Sequence, residues 1–218
     1  MRNLSLSSPG QPLTRILCLG AHSDDIEIGC GGALLTLIER HPQVAIDWVV
    51  FSGKGERYTE AVASATSFLA AVAVKTITVH DFRDGYFPFV GAEVKDAFEA
   101  LKQNPPPDVV FTHRRDDRHQ DHRLLGELAY NTFRNHLVLE YEIPKWDGDL
   151  GAPNVFVPLA PGACERKIEL LMQHFATQRG RDWFTPETFQ GLMRLRGIEC
   201  RAASGYAEGF FGHKVVIM

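Results

Sequence analysis

The sequence predicts an α/β fold: a Rossmann-like parallel sheet flanked by helices, with C-terminal strands and loops covering a site. Three observations predict it. Short apolar runs at 15–20, 45–52, 76–80 and 108–112 alternate with stretches of helical spacing as far as Arg134, the pattern of right-handed βαβ units. The first run is apolar on both faces, as strands covered by helices on both sides are. Polar, histidine-bearing loops follow the first and fourth runs directly.

Residues 1–13 are rich in Ser, Pro and Gly and read as a loose leader to a single α/β domain at 14–218. Arg15–Gly20 is the first strand. Gly29, Gly31 and Gly32 open a helix running to Arg40, with Ala33, Leu34, Leu37 and Ile38 on one face, and Pro42 stops it. Ala45–Ser52 is the second strand, and Thr59–Ala71 is a helix. Thr76–His80 is the third strand, followed by the turn-rich loop Asp81–Pro88. Ala92–Gln103 buries Val94, Ala97, Phe98 and Leu101, and Pro105–Pro107 end that helix, because proline cannot continue one. Asp108–Thr112 is the fourth strand, and Asp121–Arg134 is a helix. Further on, Leu137–Tyr141 and Asn154–Pro158 read as strands and Ala163–His174 and Pro186–Gly197 as helices, with His213–Met218 as a closing strand. The connections at 144–153 and 203–212 are long, Gly-rich and aromatic, a place where binding function often sits.

Composition narrows the function. The chain has 218 residues and a net charge of −4, without the clustered basic surface that nucleic acid requires. Arg114, Arg115 and Arg118 are interleaved with Asp116 and Asp117. The four cysteines form no C-x-x-C pair, which argues against a zinc knuckle or a thioredoxin motif. The first residues lack the apolar core of a signal peptide, and no run approaches the roughly 20 apolar residues of a membrane span. The expectation is a cytoplasmic protein with no membrane span and no nucleic-acid partner, and homo-oligomer formation is left open.

The chemistry concentrates in two stretches, LCLGAHSDDIEIGCGG at 17–32 and HRRDDRHQDH at 113–122. In a doubly wound sheet the strand order reverses between the first and fourth strands, so the loops that follow them are neighbours. Ionisable groups packed this densely are costly to bury unless something binds them. A catalytic zinc takes three N or O ligands and leaves one position open. His22, Asp25 and His122 supply such a set. Asp24 then stands beside the metal, placed to take a proton from water. His119 remains as a nearby imidazole, and Asp121 is placed to orient an imidazole through a carboxylate–histidine hydrogen bond. Arg57 has the planar fork that suits substrate oxygens, with Glu60 as its neighbour. Glu208 and His213 lie in a segment expected to cover the pocket.

AHSDD followed by GCGG, with HQDH after the fourth strand, resembles the PIG-L (LmbE-like) family of zinc-dependent N-acetylglucosaminyl deacetylases. Arg57 with Glu60, Asp84-Gly85, Thr177-Gln178 and the run Tyr206-Ala207-Glu208-Gly209-Phe210 are similar to weaker family landmarks. The resemblance implies His22, Asp25 and His122 as zinc ligands, Asp24 as general base, His119 as the group that stabilises the oxyanion, and Asp121 as the acid orienting it. Iron(II) in place of zinc in the cell fits the same ligands. The implied reaction removes an N-acetyl group from a GlcNAc-containing or related amino sugar through a metal-activated water. Ser23 departs from the family, which has proline there. Two alternatives compete: a metal-dependent phosphoesterase, which would need a second metal about 4 Å away, and a catalytically silent metal-binding protein.

Overall fold

The computed structural model describes residues 3–8 and 10–216. A seven-stranded mixed sheet runs in the order β3-β2-β1-β4-β5-β7-β6. Its strands are β1 (Arg15–His22), β2 (Ala45–Ser52), β3 (Lys75–Val79), β4 (Val109–His113), β5 (Leu137–Tyr141), β6 (Val155–Pro158) and β7 (Ala207–Gly212). The helices are α1 (Asp25–Arg40), α2 (Glu56–Phe68), α3 (Gly91–Leu101), α4 (Gln120–Thr132), α5 (Ala163–His174) and α6 (Pro186–Cys200). β1 to β5 are mutually parallel, and β7 pairs antiparallel with both β5 and β6.

Alternation along the strands builds two cores, because successive side chains point to opposite faces. Ile16 and Cys18 of β1, Ile46, Trp48 and Val50 of β2, and Val109 and Phe111 of β4 face the layer that contains Leu34, Phe68 and Leu170. Leu17, Leu19, Val49, Phe51 and Val110 face the layer that contains Val94, Phe98, Leu125 and Ala129. Helices α1, α2, α5 and α6 therefore form one layer, and α3 and α4 the other. No helix among the described residues is long and apolar enough to cross a membrane.

The largest differences from the sequence reading are in two elements. Helix α1 starts at Asp25 rather than Gly29, so its glycines lie inside the helix. They serve close packing. A Cβ on Gly29 would collide with the Tyr141 ring, and that ring is fixed by its hydroxyl, which donates to Leu19 O at 2.7 Å. The closing strand lies at Ala207–Gly212 and not at His213–Met218, because β5 and β6 together bracket that segment. Residues 217 and 218 of the expected strand lie outside the described residues. So do residues 1, 2 and 9 of the expected leader. Within the rest of the leader, Leu13 is buried and Leu6 packs on the core.

Candidate metal centre

The register of β1 against β4, with Leu17 opposite Val110 and Cys18 opposite Phe111, brings the ends of the two strands together. His22 ends β1 and His113 ends β4. Directly after β1, Asp24 takes the N-cap position of α1 and Asp25 its first turn, where the free N–H groups and helix dipole favour carboxylates. Across the gap, His119 caps α4 and His122 lies in its first turn. α4 lies tight against β4, since a Cβ on Gly126 would come 2.6 Å from His113 O.

Three donors converge here. His22 Nδ1 is 3.1 Å from His122 Nε2 and 3.2 Å from Asp25 Oδ2. His122 Nε2 is 3.5 Å from Asp25 Oδ1. The opposite nitrogen of each imidazole faces a carboxylate. His22 Nε2 lies 3.0 Å from Asp84 Oδ1 and 3.3 Å from Asp121 Oδ2, and His122 Nδ1 lies 3.0 Å from Asp117 Oδ2. Carboxylates behind two rings favour the tautomers in which His22 Nδ1 and His122 Nε2 would be the atoms offered to a metal once His22 has lost its extra proton. Overlapping groups, His22 with His119 and His122, and Asp25 with His113 and His122, also have the spacing to hold a metal ion. His113 is the weaker donor, because its Nε2 already accepts from Ala21 N–H at 2.9 Å. It is fully buried and stacks on His122 at 3.9 Å between ring centroids.

Burial and charge pull the titrations apart. Burial alone would lower the His22 pKa, but the Asp25 charge and the hydrogen bonds the ring donates to Asp121, Asp25 and Asp84 raise it well above the ordinary histidine value. Burial and the neighbouring His113 push His122 down to about 3. Asp25 opposes its own burial through His122, His113 and His22, which hold it well below the usual carboxylate range. Burial lifts Asp24 above that range, although Arg57 works against the rise. His119 is lowered by burial and by His22. Its Nδ1 accepts from Asp121 N–H at 3.3 Å, so the neutral ring carries its proton on Nε2 and is a hydrogen-bond donor there.

Several expected roles change. The Asp121 carboxylate faces an imidazole, but that of His22, with Oδ2 3.3 Å from Nε2, and His119 is not oriented by that carboxylate. That group accepts from Gly85 N–H at 2.6 Å and Phe87 N–H at 3.1 Å and touches His22, so it fastens the 81–88 loop to the site. Arg57 is engaged by protein atoms: Nη2 donates to Asp24 Oδ1 at 2.6 Å, and Nη1 to Glu60 Oε2 at 3.0 Å and Thr177 Oγ1 at 3.2 Å. Glu208 is sealed away from the pocket. It accepts from Gly32 and Ala33 N–H at 2.9 and 2.7 Å and from Lys167 Nζ at 2.6 Å, two turns along α1. His213 pairs with Glu140 at 3.0 Å. Asp117 was absent from the sequence-based roles; its signal was a carboxylate five positions before His122 in the same run.

A doubly wound sheet with a buried His/Asp group at its strand-order reversal defines an α/β protein whose donors have the spacing to hold a metal ion, with the buried Asp24 beside them. The chain belongs to the PIG-L family, described as GlcNAc-PI de-N-acetylase, whose sequence profile matches residues 17–133. The uncharacterized deacetylase YaiS of Escherichia coli K12 is 29% identical over 171 residues, which cover 73% of this chain and 89% of that protein. The N,N'-diacetylchitobiose deacetylase of Pyrococcus horikoshii superposes with a TM-score of 0.72 at 22% identity, over 96% of this chain and 87% of that one. GalB, the 4-carboxy-2-hydroxymuconate hydratase of Pseudomonas putida KT2440, superposes with a TM-score of 0.73 at 19% identity, over 94% and 98%. A hydratase on the same fold means that the reaction must be argued from the site.

Proposed function

We propose that this protein is a zinc-dependent N-deacetylase that hydrolyses the acetamide of a GlcNAc-containing or related amino sugar. The observation that carries this reading is the convergence of His22, Asp25 and His122 within 3.5 Å of one another, with the unligated Asp24 buried alongside. Membership of a de-N-acetylase family supports the substrate class.

His22 Nδ1, His122 Nε2 and the Asp25 carboxylate would hold the metal. When bound, zinc lowers the pKa of a coordinated water and polarises a carbonyl. The chain supplies the rest. Asp24 accepts the proton of the attacking water, and its carboxyl, raised by burial, is a better base than an exposed aspartate. Arg57 fixes that carboxylate through Oδ1, and its remaining N–H groups serve substrate oxygens. The neutral His119 donates Nε2–H to the developing oxyanion. One such donor contributes ~3 kcal/mol to transition-state stabilisation. Asp24 then returns its proton to the leaving amine, so acetate and a free amino sugar are released.

The test is acetate release from N-acetylglucosamine, its chito-disaccharide and O-linked GlcNAc conjugates, with and without chelator. Asp24→Asn should keep bound zinc and lose at least about 100-fold in turnover. Undiminished turnover in a zinc-loaded Asp24→Asn variant removes Asp24 from the chemistry. Chelator-insensitive activity removes the metal.

A further inference from the structure

His122 is tied to more than its own loop. Asp117, which faces His122 Nδ1 through Oδ2, presents its other oxygen to Lys145 Nζ at 3.0 Å. Asp117 Oδ1 also accepts from the backbone N–H of His119 at 2.7 Å, so one carboxylate holds the imidazole of His122 and the backbone of His119. Lys145 Nζ donates in turn to both oxygens of Asp149 at 2.8 Å, and Asp149 Oδ2 accepts from Arg118 N–H at 2.7 Å. The Lys145 and Asp149 side chains are 8% and 7% exposed. Asp117 and Arg118 belong to the β4–α4 loop. Lys145 and Asp149 belong to the long connection between β5 and β6. The buried Lys145 ammonium therefore bridges the two loops, alongside Arg114 Nη1, which donates to Asp149 O at 2.9 Å, and is the bridge that reaches the Asp117 carboxylate.

We propose that Lys145 is a positioning residue for the metal: through Asp117 it sets the orientation and tautomer of His122. This rests on the zinc reading above. A carboxylate behind a ligating histidine holds the ring and strengthens it as a ligand. That carboxylate performs the task only while its own direction is fixed. Within the loop, Asp117 contacts His122 and the backbone N–H of His119, both of which it is meant to orient. Lys145 is the anchor from outside the loop, and Asp149 holds Lys145 in turn.

The assignment differs from a simple loop staple, which would add stability and leave the metal unaffected. The experiment is a zinc competition titration against a chromophoric chelator, with the cobalt(II) visible spectrum and the thermal unfolding midpoint recorded on the same samples. Lys145→Met should weaken zinc binding by about 10- to 100-fold and shift the cobalt bands. Lys145→Arg, which keeps N–H donors for both carboxylates, should recover most of the affinity. A Lys145→Met variant with a lowered midpoint but wild-type zinc affinity and cobalt spectrum overturns the assignment. Should Lys145→Met fail to fold, Lys145→Gln, which keeps one donor in the buried space, carries the same comparison. Wild-type protein that binds neither zinc nor cobalt overturns the metal reading itself, and this assignment with it.

Discussion

Helix α1 carries buried charge at two places, and the two are balanced in different ways. Beside its middle, Glu208 meets Lys167 at 2.6 Å, the ammonium also donates to Ile28 O, and the carboxylate takes Gly32 and Ala33 N–H. One anion faces one cation, and backbone groups complete both shells. At the N-terminus, Asp24, Asp25, Asp117 and Asp121 are all buried, and so is Glu27, whose carboxyl burial pushes up to about 8 and thereby keeps neutral near pH 7. Among the described residues, Lys and Arg side chains meet two of the four aspartates: Arg57 at Asp24 and Lys145 at Asp117. The difference separates a structural charge cluster from a receptive one. The first is complete within the chain. The second lacks about two positive charges, which a divalent cation would supply, and the raised pKa of His22 lets a proton there supply part.

The largest effect that could break this contrast is on stability. Lys167→Met leaves Glu208 buried without its cation, and breaking a buried pair in this way costs about 3–5 kcal/mol. In chelated protein, Asp24→Asn should instead be neutral or stabilising, because burial raises that carboxyl and so penalises its charge in the fold. Residues selected for function commonly sit at a stability cost. Urea unfolding of both variants in chelator decides. Equal losses at the two positions would remove the distinction drawn between them.

The sheet and both polar loops were legible because they rest on local signals: continuous apolar runs, helical spacing, and histidines placed directly after strands. Strand β7 was not. AEGFFG holds two glycines, which disfavour strands, and its extended state is set by pairing with β5 and β6 on either side. The glycines of α1 signalled a helix start, yet the partner that requires Gly29 is Tyr141, more than a hundred residues away. Glu208 was placed over the pocket because its segment is Gly-rich and aromatic, but its real partners, Lys167 and the α1 backbone, are long-range. Lys145 carried no sequence signal at all. The metal-facing groups announce themselves through residue type and spacing, whereas the groups that steady them come from distant segments and need the fold to be seen.

The next effect sharpens the contrast through ligand linkage. Zinc at about 100 times its dissociation constant should stabilise the fold by about 2.7 kcal/mol, roughly 5–10 °C in the unfolding midpoint for a chain of this size. The gain should vanish in His122→Ala and persist in Lys167→Met, measured against each variant's own chelated midpoint. A zinc shift of equal size in His122→Ala would place the metal elsewhere.

The smallest effect concerns the proton that stands in for the metal. Among the three proposed ligands, Asp25 is held below the usual carboxylate range and His122 is pushed down to about 3, so near neutral pH neither has a proton to give up. His22 is raised, chiefly because the Asp25 charge and the carboxylate hydrogen bonds overcome its burial. Its stabilising contribution in chelated protein is therefore complete below the unfolded histidine value of about 6.5 and is lost as pH rises through the higher folded value. Bound zinc would replace that proton. Below the folded pKa of His22, zinc affinity should rise by about one decade per pH unit, equivalent to ~1.4 kcal/mol, and each ion bound should release about one proton. Calorimetric zinc titrations in buffers of different ionisation enthalpy count the protons directly. A release near zero would mean that His22 is neutral before the metal arrives, and that the deficit at the head of α1 is met by some other group.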